Sequence, residues 1–462
     1  MKYKSTRGQV AGIGFIDAVL MGLADDGGLL IPESIPQVDA DTLTKWRELT
    51  YPELALEVLS LFIGDEIPRD ELAELIQASY TTFRDPEVTP VKRLSPERAV
   101  LELFHGPTFA FKDVALQFLG QLYAYISQKT GSVIHILGAT SGDTGASAIE
   151  GVRGKEGIRI CILHPAGKVS RVQELQMTTV SDANVQNLAV EGTFDDCQRI
   201  IKELFADVSF KKEYHLRAIN SINIARLLAQ TVYYFYAALK LAKDGESRLP
   251  NFSVPTGNFG DIFAGYLARR MGLPIGRLIL ATNENNILER FVHEGIYEPG
   301  EFRSTYSPSM DIQVASNFER YLYYQNGEDA AKTAAQMAEL SKSGRIVVAS
   351  DVREAVQADF AAYGVKNAEC LEAIRVCHAD TGYLLDPHTA CGVAAGGRIA
   401  ASGELTVTLA TAHPAKFDES IQLVNIRQTF PAPIAALFEK PQHATRVEGS
   451  ADAVKDELLR FF

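Results

Sequence analysis

Along most of this 462-residue chain, short apolar runs rich in β-branched residues alternate with longer stretches of helical periodicity. That alternation constrains the fold more than any other feature. The runs cover Val100–Phe104, Val133–Leu137, Ile158–Leu163, Asn187–Val190, Phe252–Val254, Leu278–Ala281 and Leu405–Leu409. Strands separated by helices read as an α/β fold with mostly parallel strands. Residues 1–90 differ: segments such as Tyr51–Leu59 and Glu71–Gln77 carry helical periodicity throughout. Asp85-Pro86 and Thr89-Pro90 then mark a boundary, because each proline biases its predecessor away from helix. The expected division is residues 1–90, an α/β region over 91–430, and a C-terminal extension, 431–462, to which no role is attached. The stretch Asp244–Pro250 reads as a loop joining two lobes.

The charge balance excludes some functions. Lysine and arginine number 45 against 58 acidic residues, a formal charge of -13, which argues against nucleic acid as a partner. An anionic substrate stays compatible, since local groups such as Arg226 or Lys168 outweigh a distant field in a desolvated pocket. No long apolar run follows the opening Met1–Lys4, so neither a signal peptide nor a membrane span is expected, and a cytoplasmic location is the default. The five cysteines form no Cys-x-x-Cys pair and read as reduced core thiols. The histidines form no metal signature, since His293-Glu294 lacks a second histidine at helical spacing. His105 and His413 lie inside motifs, where a structural hydrogen bond and a chemical role are equally open.

One lysine carries the chemistry. Lys112 stands between the apolar stretch Ala99–Phe104 and an amphipathic helix marked by Val114, Leu116, Phe118, Leu119, Leu122, Tyr123 and Ile126. On the first turn of a helix an ammonium meets partial positive charge, so its pKa falls and an amine able to attack an aldehyde remains. A lone lysine beside Asp113 would ordinarily be a capped surface charge. Two loops of small residues outweigh that reading. Val133–Gly145 breaks from a β-branched run into a loop and then a helix, so freed amides beside the Ser141 and Thr144 hydroxyls form a site for a carboxylate or phosphate. Asn251–Asp261 repeats the arrangement with Gly257 and Gly260 and suits a cofactor phosphate. Neither loop has the Lys-Ser or Lys-Thr ending of a P-loop or the Gly-x-Gly-x-x-Gly spacing, so ATP and NAD are disfavoured.

Lys112 within Phe109-Ala-Phe-Lys-Asp113, the Ser141-Gly-Asp-Thr-Gly145 loop and the Thr256-Gly-Asn-Phe-Gly-Asp261 loop together resemble the pyridoxal-phosphate enzymes of fold type II, the tryptophan synthase β-like superfamily. Within it they resemble the microbial and fungal branch of the threonine synthase family. Tyr3–Gly8, Gly22–Pro32, His105–Lys112, Asn220–Arg226 and Thr411–Phe417 extend the match nearly end to end. The resemblance implies two lobes, each a mostly parallel sheet flanked by helices, with the small lobe over roughly 113–225 and a helical N-terminal domain. It implies that Lys112 holds pyridoxal 5'-phosphate covalently and moves protons. Gly257, Asn258, Phe259, Gly260 and Asp261 would wrap the cofactor phosphate, and the Thr411 hydroxyl would face the pyridine nitrogen and keep it neutral. Ser141, Asp143 and Thr144 would grip the substrate carboxylate and its neighbours. Asp143 stands where the superfamily usually has Asn, so a carboxylate there has to accept a proton from the cofactor's phenolic oxygen or turn away. Ser221 and Arg226 would bind the substrate's phosphate, arginine engaging two oxygens at once; without the motif they read as a helix N-cap and a surface charge.

The implied activity is that of a lyase converting O-phospho-L-homoserine and water to L-threonine and phosphate, the last step of threonine biosynthesis. The implied partner is a small molecule, with no metal, nucleic acid or membrane, and the oligomeric state is left open. Three alternatives stand beside it. One is a phospholyase releasing 2-oxobutyrate; another is a serine/threonine dehydratase-like lyase, which has no use for a second phosphate site. The third is a silent binding homologue, against which the retention of Lys112 and both loops argues.

Overall fold

The computed structural model describes all 462 residues and builds them around two separate sheets. The larger sheet orders its strands Phe360–Gly364, Leu278–Thr282, Asn251–Pro255, Thr406–Ala410, Arg98–Glu102 and Val91–Ser95. All neighbours are parallel except the last pair, which is antiparallel with an irregularity between Arg93 and Ser95. The smaller sheet is parallel throughout and runs Thr445–Val447, Val185–Val190, Ile158–Pro165, Ile134–Ala139, Leu216–Ala218. Strands such as Leu278–Thr282 and Thr406–Ala410 are buried at every residue, as expected where helices cover both faces of a parallel sheet.

All seven apolar runs become strands. Four strands of these sheets were not anticipated, and all four are edges: Val91–Ser95, Leu216–Ala218, Phe360–Gly364 and Thr445–Val447. An edge strand has covered neighbours on one side only and tolerates polar residues, here Lys92, Arg93, Arg217 and Arg446, so its apolar signal is weak. The last of them gives the C-terminal segment a structural role. It pairs in register with Leu188–Val190, and its following helix, Ala451–Phe461, packs on helix Phe194–Ala206. Phe462 stacks on His135 with ring centroids 4.1 Å apart.

The N-terminal region is helical, with a short antiparallel pair, Tyr3–Ser5 with Leu30–Pro32, at its start. Helix Tyr51–Ile63 begins at a capping box, Thr50 N–H donating to Glu53 Oε2 at 2.8 Å, and buries Leu54, Val58, Leu59 and Phe62 in the main core. It packs on helix Ile224–Lys243. The Asp244–Pro250 turn does not join lobes. It links that helix to strand Asn251–Pro255, and Glu246 bonds to Arg93 of the same sheet at 2.7 Å. The chain instead passes from the smaller sheet toward the larger at residues 219–223. No helix is long and apolar enough to cross a membrane.

One packing feature places the chemistry. Helices Lys112–Thr130 and Asp143–Val152 touch through Gly120 and Gly151, where a Cβ on Gly120 would lie 2.1 Å from the Gly151 carbonyl oxygen and one on Gly151 would lie 2.6 Å from that of Leu116. Only glycine permits so close an approach. Each glycine sits roughly two turns from its helix start, so the contact brings the two N-termini, Lys112 and Asp143, together.

Candidate active site

Lys112 is the first residue of its helix, as the sequence pattern required. The loop before it turns at Phe109, in the left-handed region at φ 61°. Arg84 holds that turn: its guanidinium lies 3.4 Å from the centre of the Phe109 ring and donates to the carbonyls of His105, Gly106 and Pro107. Asp113 is not a surface cap. It is buried and accepts from Thr108 N–H, Thr108 Oγ1 and Ser147 Oγ, each at 2.7 Å, which ties the lysine's turn to helix Asp143–Val152. The Lys112 amine has a pKa below the ordinary lysine value. Burial is the leading cause, Arg226 and Lys416 push the same way, and Asp143 opposes them. The helix terminus argued from sequence thus yields first place to desolvation.

Asp143 Oδ2 lies 3.7 Å from Lys112 Nζ. Its Oδ1 accepts from Lys416 Nζ at 2.8 Å and from Gln173 Nε2 at 2.7 Å. Burial alone would raise this carboxyl's pKa, but Lys416 and Lys112 outweigh it and hold the group well below the usual carboxylate range. Asp143 is therefore an anion, turned away from neither lysine. Ser141 is exposed and Thr144 half-buried on the same loop, and the N–H groups of Ser141, Asp143 and Thr144 have no protein acceptor.

The second loop ends at Phe259, left-handed at φ 65°, which caps helix Gly260–Arg270. The N–H groups of Gly257, Asn258, Phe259, Gly260 and Asp261 have no protein acceptor either. A Cβ on Gly257 would sit 3.0 Å from the Ser309 carbonyl oxygen, so the loop is backed by chain. Ser316 Oγ donates to Asn258 Oδ1 at 3.1 Å and lies 2.7 Å from Ser221 Oγ. Asn317 Nδ2 donates to the carbonyls of Ser221 and Asn258 at 3.2 and 3.1 Å. The structure thereby joins the Gly257–Asp261 loop to the Asn220–Arg226 motif. Buried Arg320 completes the joint by donating to Asn317 Oδ1, the Ile222 carbonyl and the Leu30 carbonyl. Ser316, Asn317 and Arg320 lie in neither glycine loop and outside the family-like motifs, and no local sequence signal marks them.

Asp261 contributes differently from its loop neighbours. Its Oδ1 accepts from the hydroxyls of Tyr233 and Tyr234, while Oδ2 has no partner. Burial raises its pKa to about 6 against 3.8 for an exposed aspartate. The folded state holds this proton more tightly than the unfolded chain does, so the carboxylate destabilises the fold above about pH 6, and the penalty fades as pH falls toward 4. Asp261→Asn is expected to stabilise the apoprotein at about pH 8 by on the order of 2 kcal/mol relative to its effect near pH 4. Thermal melts at both pH values check this, and an equal shift at both would show that the ionised carboxyl is not the source.

Arg226 is only 4 % exposed, and its Nε and Nη1 have no partner. Burial lowers its pKa to about 10. The helix it sits on is capped by Asn223, whose Oδ1 accepts from Ala225 N–H at 3.1 Å, so Ser221 is not the cap and Arg226 is not a surface charge. Lys168, the other basic candidate, is exposed. Thr411 follows strand Thr406–Ala410, and its carbonyl accepts from Phe111 N–H at 2.8 Å, which sets it beside Lys112. His413 is half-buried against Phe104 and Phe109, both 5.5 Å away, and desolvation lowers its pKa to about 4. Its Nδ1 accepts from Ala415 N–H at 3.1 Å, which marks a structural histidine. His105 Nε2 lies 2.8 Å from Glu102 Oε2. The five cysteines are buried and unpaired.

Three family profiles cover the chain: "Threonine synthase N terminus" at residues 2–80, "Pyridoxal-phosphate dependent enzyme" at 87–409, and "Threonine synthase, C-terminal" at 389–457. The chain is 47% identical over 457 residues to threonine synthase of Schizosaccharomyces pombe, covering 92% of this chain and 89% of that one. It is 45% identical over 448 residues to the enzyme of Pseudomonas aeruginosa, covering 96% and 95%. A crystal structure of threonine synthase from Brucella melitensis with pyridoxal phosphate bound superposes with a TM-score of 0.96 at 44% identity, covering 100% of this chain and 99% of that one. A half-buried lysine between loops of unpaired amides, in a fold shared over its whole length with these proteins, leads to one assignment: the chain belongs to the threonine synthase family, lyases of fold type II that depend on pyridoxal phosphate.

Proposed function

We propose that the chain converts O-phospho-L-homoserine and water to L-threonine and phosphate, as the last step of threonine biosynthesis in a cytoplasmic setting. The observation that carries this reading is Arg226: a buried guanidinium without a protein partner, close enough for its charge to act on the Lys112 amine. A dehydratase needs a phosphate site for the cofactor alone; the unpartnered Arg226 supports a second phosphate site near the same lysine.

The residues present fit the cofactor. Lys112 supplies a buried amine for the aldehyde, and the unpaired amides of residues 257–261 supply donors for the phosphate. Thr411, whose carbonyl is tied to Phe111 N–H beside Lys112, would offer its hydroxyl to the pyridine nitrogen. Bound there, pyridoxal phosphate supplies an electron sink for charge developed on the substrate carbons. Lys112 Nζ would accept the α-proton, give that proton up again toward the cofactor, and only then, as a free amine once more, accept a β-proton. Ser141, Asp143 and Thr144 orient the substrate carboxylate through the loop amides. Arg226 and Ser221 hold the γ-phosphate and stabilise the charge that grows as its C–O bond breaks. Water then adds at the β-carbon.

The test is the product. Purified protein with pyridoxal phosphate and O-phospho-L-homoserine is expected to release threonine and phosphate in equal amounts. Release of 2-oxobutyrate and ammonia with the phosphate would replace this reading by the phospholyase one.

A further inference from the structure

Lys416 lies in the Thr411–Phe417 motif between Ala415 and Phe417, and no role has been attached to it. Its side chain is 0% exposed. Nζ donates to the Thr108 carbonyl at 2.7 Å and to Gln176 Oε1 at 2.8 Å, and lies 2.8 Å from Asp143 Oδ1. An ammonium has three donors, and all three are engaged, so this one does not turn. Asp143 offers its other oxygen to Lys112. One carboxylate thus stands between two ammonium groups on different elements, with Gln173 closing the remaining side. The other charged groups facing this cluster are Arg226 on helix Ile224–Lys243, Asp113 beside Lys112, and Asp261 on helix Gly260–Arg270.

A carboxylate alone at this distance would hold a proton on the lysine nitrogen. Paired with a second cation held by three contacts, it contributes orientation with little net field.

We propose that Lys416 is a positioning residue that pins Asp143 as a carboxylate and cancels its charge, so that Asp143 can face the Lys112 nitrogen while that nitrogen remains free to gain and lose a proton. The proposal rests on the reading of Lys112 as the residue that holds the cofactor.

The test is a double-mutant cycle read by pH titration of the holoenzyme's visible absorption band, whose midpoint reports the proton on the Lys112 nitrogen. Lys416→Met is expected to raise the midpoint by about one unit, and Asp143→Asn to lower it by a similar amount. The double variant Asp143→Asn/Lys416→Met is expected to return close to the wild-type midpoint. A purely structural role would lower the apoprotein melting temperature and leave the midpoint in place. An unmoved midpoint in Lys416→Met, or a double variant that keeps the full shift of either single one, overturns the proposal. If Lys416→Met does not fold, the near-isosteric Asp143→Asn and the charge-balanced double variant still decide it. Failure of the Lys112 reading is separate: the wild-type protein would then show no such band, or Lys112→Ala would retain it.

Discussion

Lys112→Ala is expected to remove the visible absorption band of the reconstituted protein and to lower threonine formation by about 10³-fold or more. The two losses share one cause, since the same nitrogen holds the cofactor and moves the protons. The fold should survive. Alanine is a good helix residue, Asp113 keeps its bonds to Thr108 and Ser147, and Asp143 keeps Lys416 and Gln173 on Oδ1. Absorption spectra, initial rates and a thermal melt on one preparation check all three statements. Inactivity with an intact band would move the covalent bond to another amine, and Lys416, on the far side of Asp143, would be the first to examine.

How much of this was legible in the sequence depends on whether a feature is local. The strands of the sheet interiors were readable because burial on both faces demands unbroken apolar runs, as in Leu278–Thr282. The edge strands were not, because their pairing lies with distant chain: Thr445–Val447 is a strand only beside Leu188–Val190. The same division holds in the site. Lys112 and the two loops announced themselves through glycines and a strand-to-helix change within a few residues. Lys416 sits inside the Thr411–Phe417 motif, yet its meaning depends on Asp143 and Thr108, far away in the chain. For Asp143 the sequence alone offers two outcomes, accepting a proton or turning away. A third outcome, an anion held by a buried lysine, was invisible until that lysine was placed. Ser316, Asn317 and Arg320 join elements through side-chain to backbone bonds, and such bonds leave no periodic trace in a sequence.

Arg226→Ala is expected to separate recognition of the substrate's phosphate from everything else the site does. Removing a guanidinium that engages a phosphate should cost on the order of 2–3 kcal/mol of transition-state stabilisation, roughly a 100-fold fall in kcat/KM. Cofactor affinity should not change, because the Gly257–Asp261 loop presents its own amides. Stability should move the other way from activity. In the apoprotein Arg226 is a buried charge with Nε and Nη1 unpaired, so its deletion relieves a desolvation cost that the cavity left behind only partly offsets. The melting temperature of the apoprotein is therefore expected to hold or rise as kcat/KM falls, and phosphate, which would satisfy the guanidinium, should stabilise the wild type more than the variant, which keeps only the Gly257–Asp261 amides as a phosphate site. Arg226→Lys should recover part of the activity, since it restores the charge without the two-pronged fork. Steady-state kinetics, cofactor titration and melts with and without phosphate decide it. Loss of cofactor affinity in Arg226→Ala would mean that the guanidinium serves the cofactor phosphate. The joint that Ser316 and Asn317 make between the two loops would then bound one anion site instead of two.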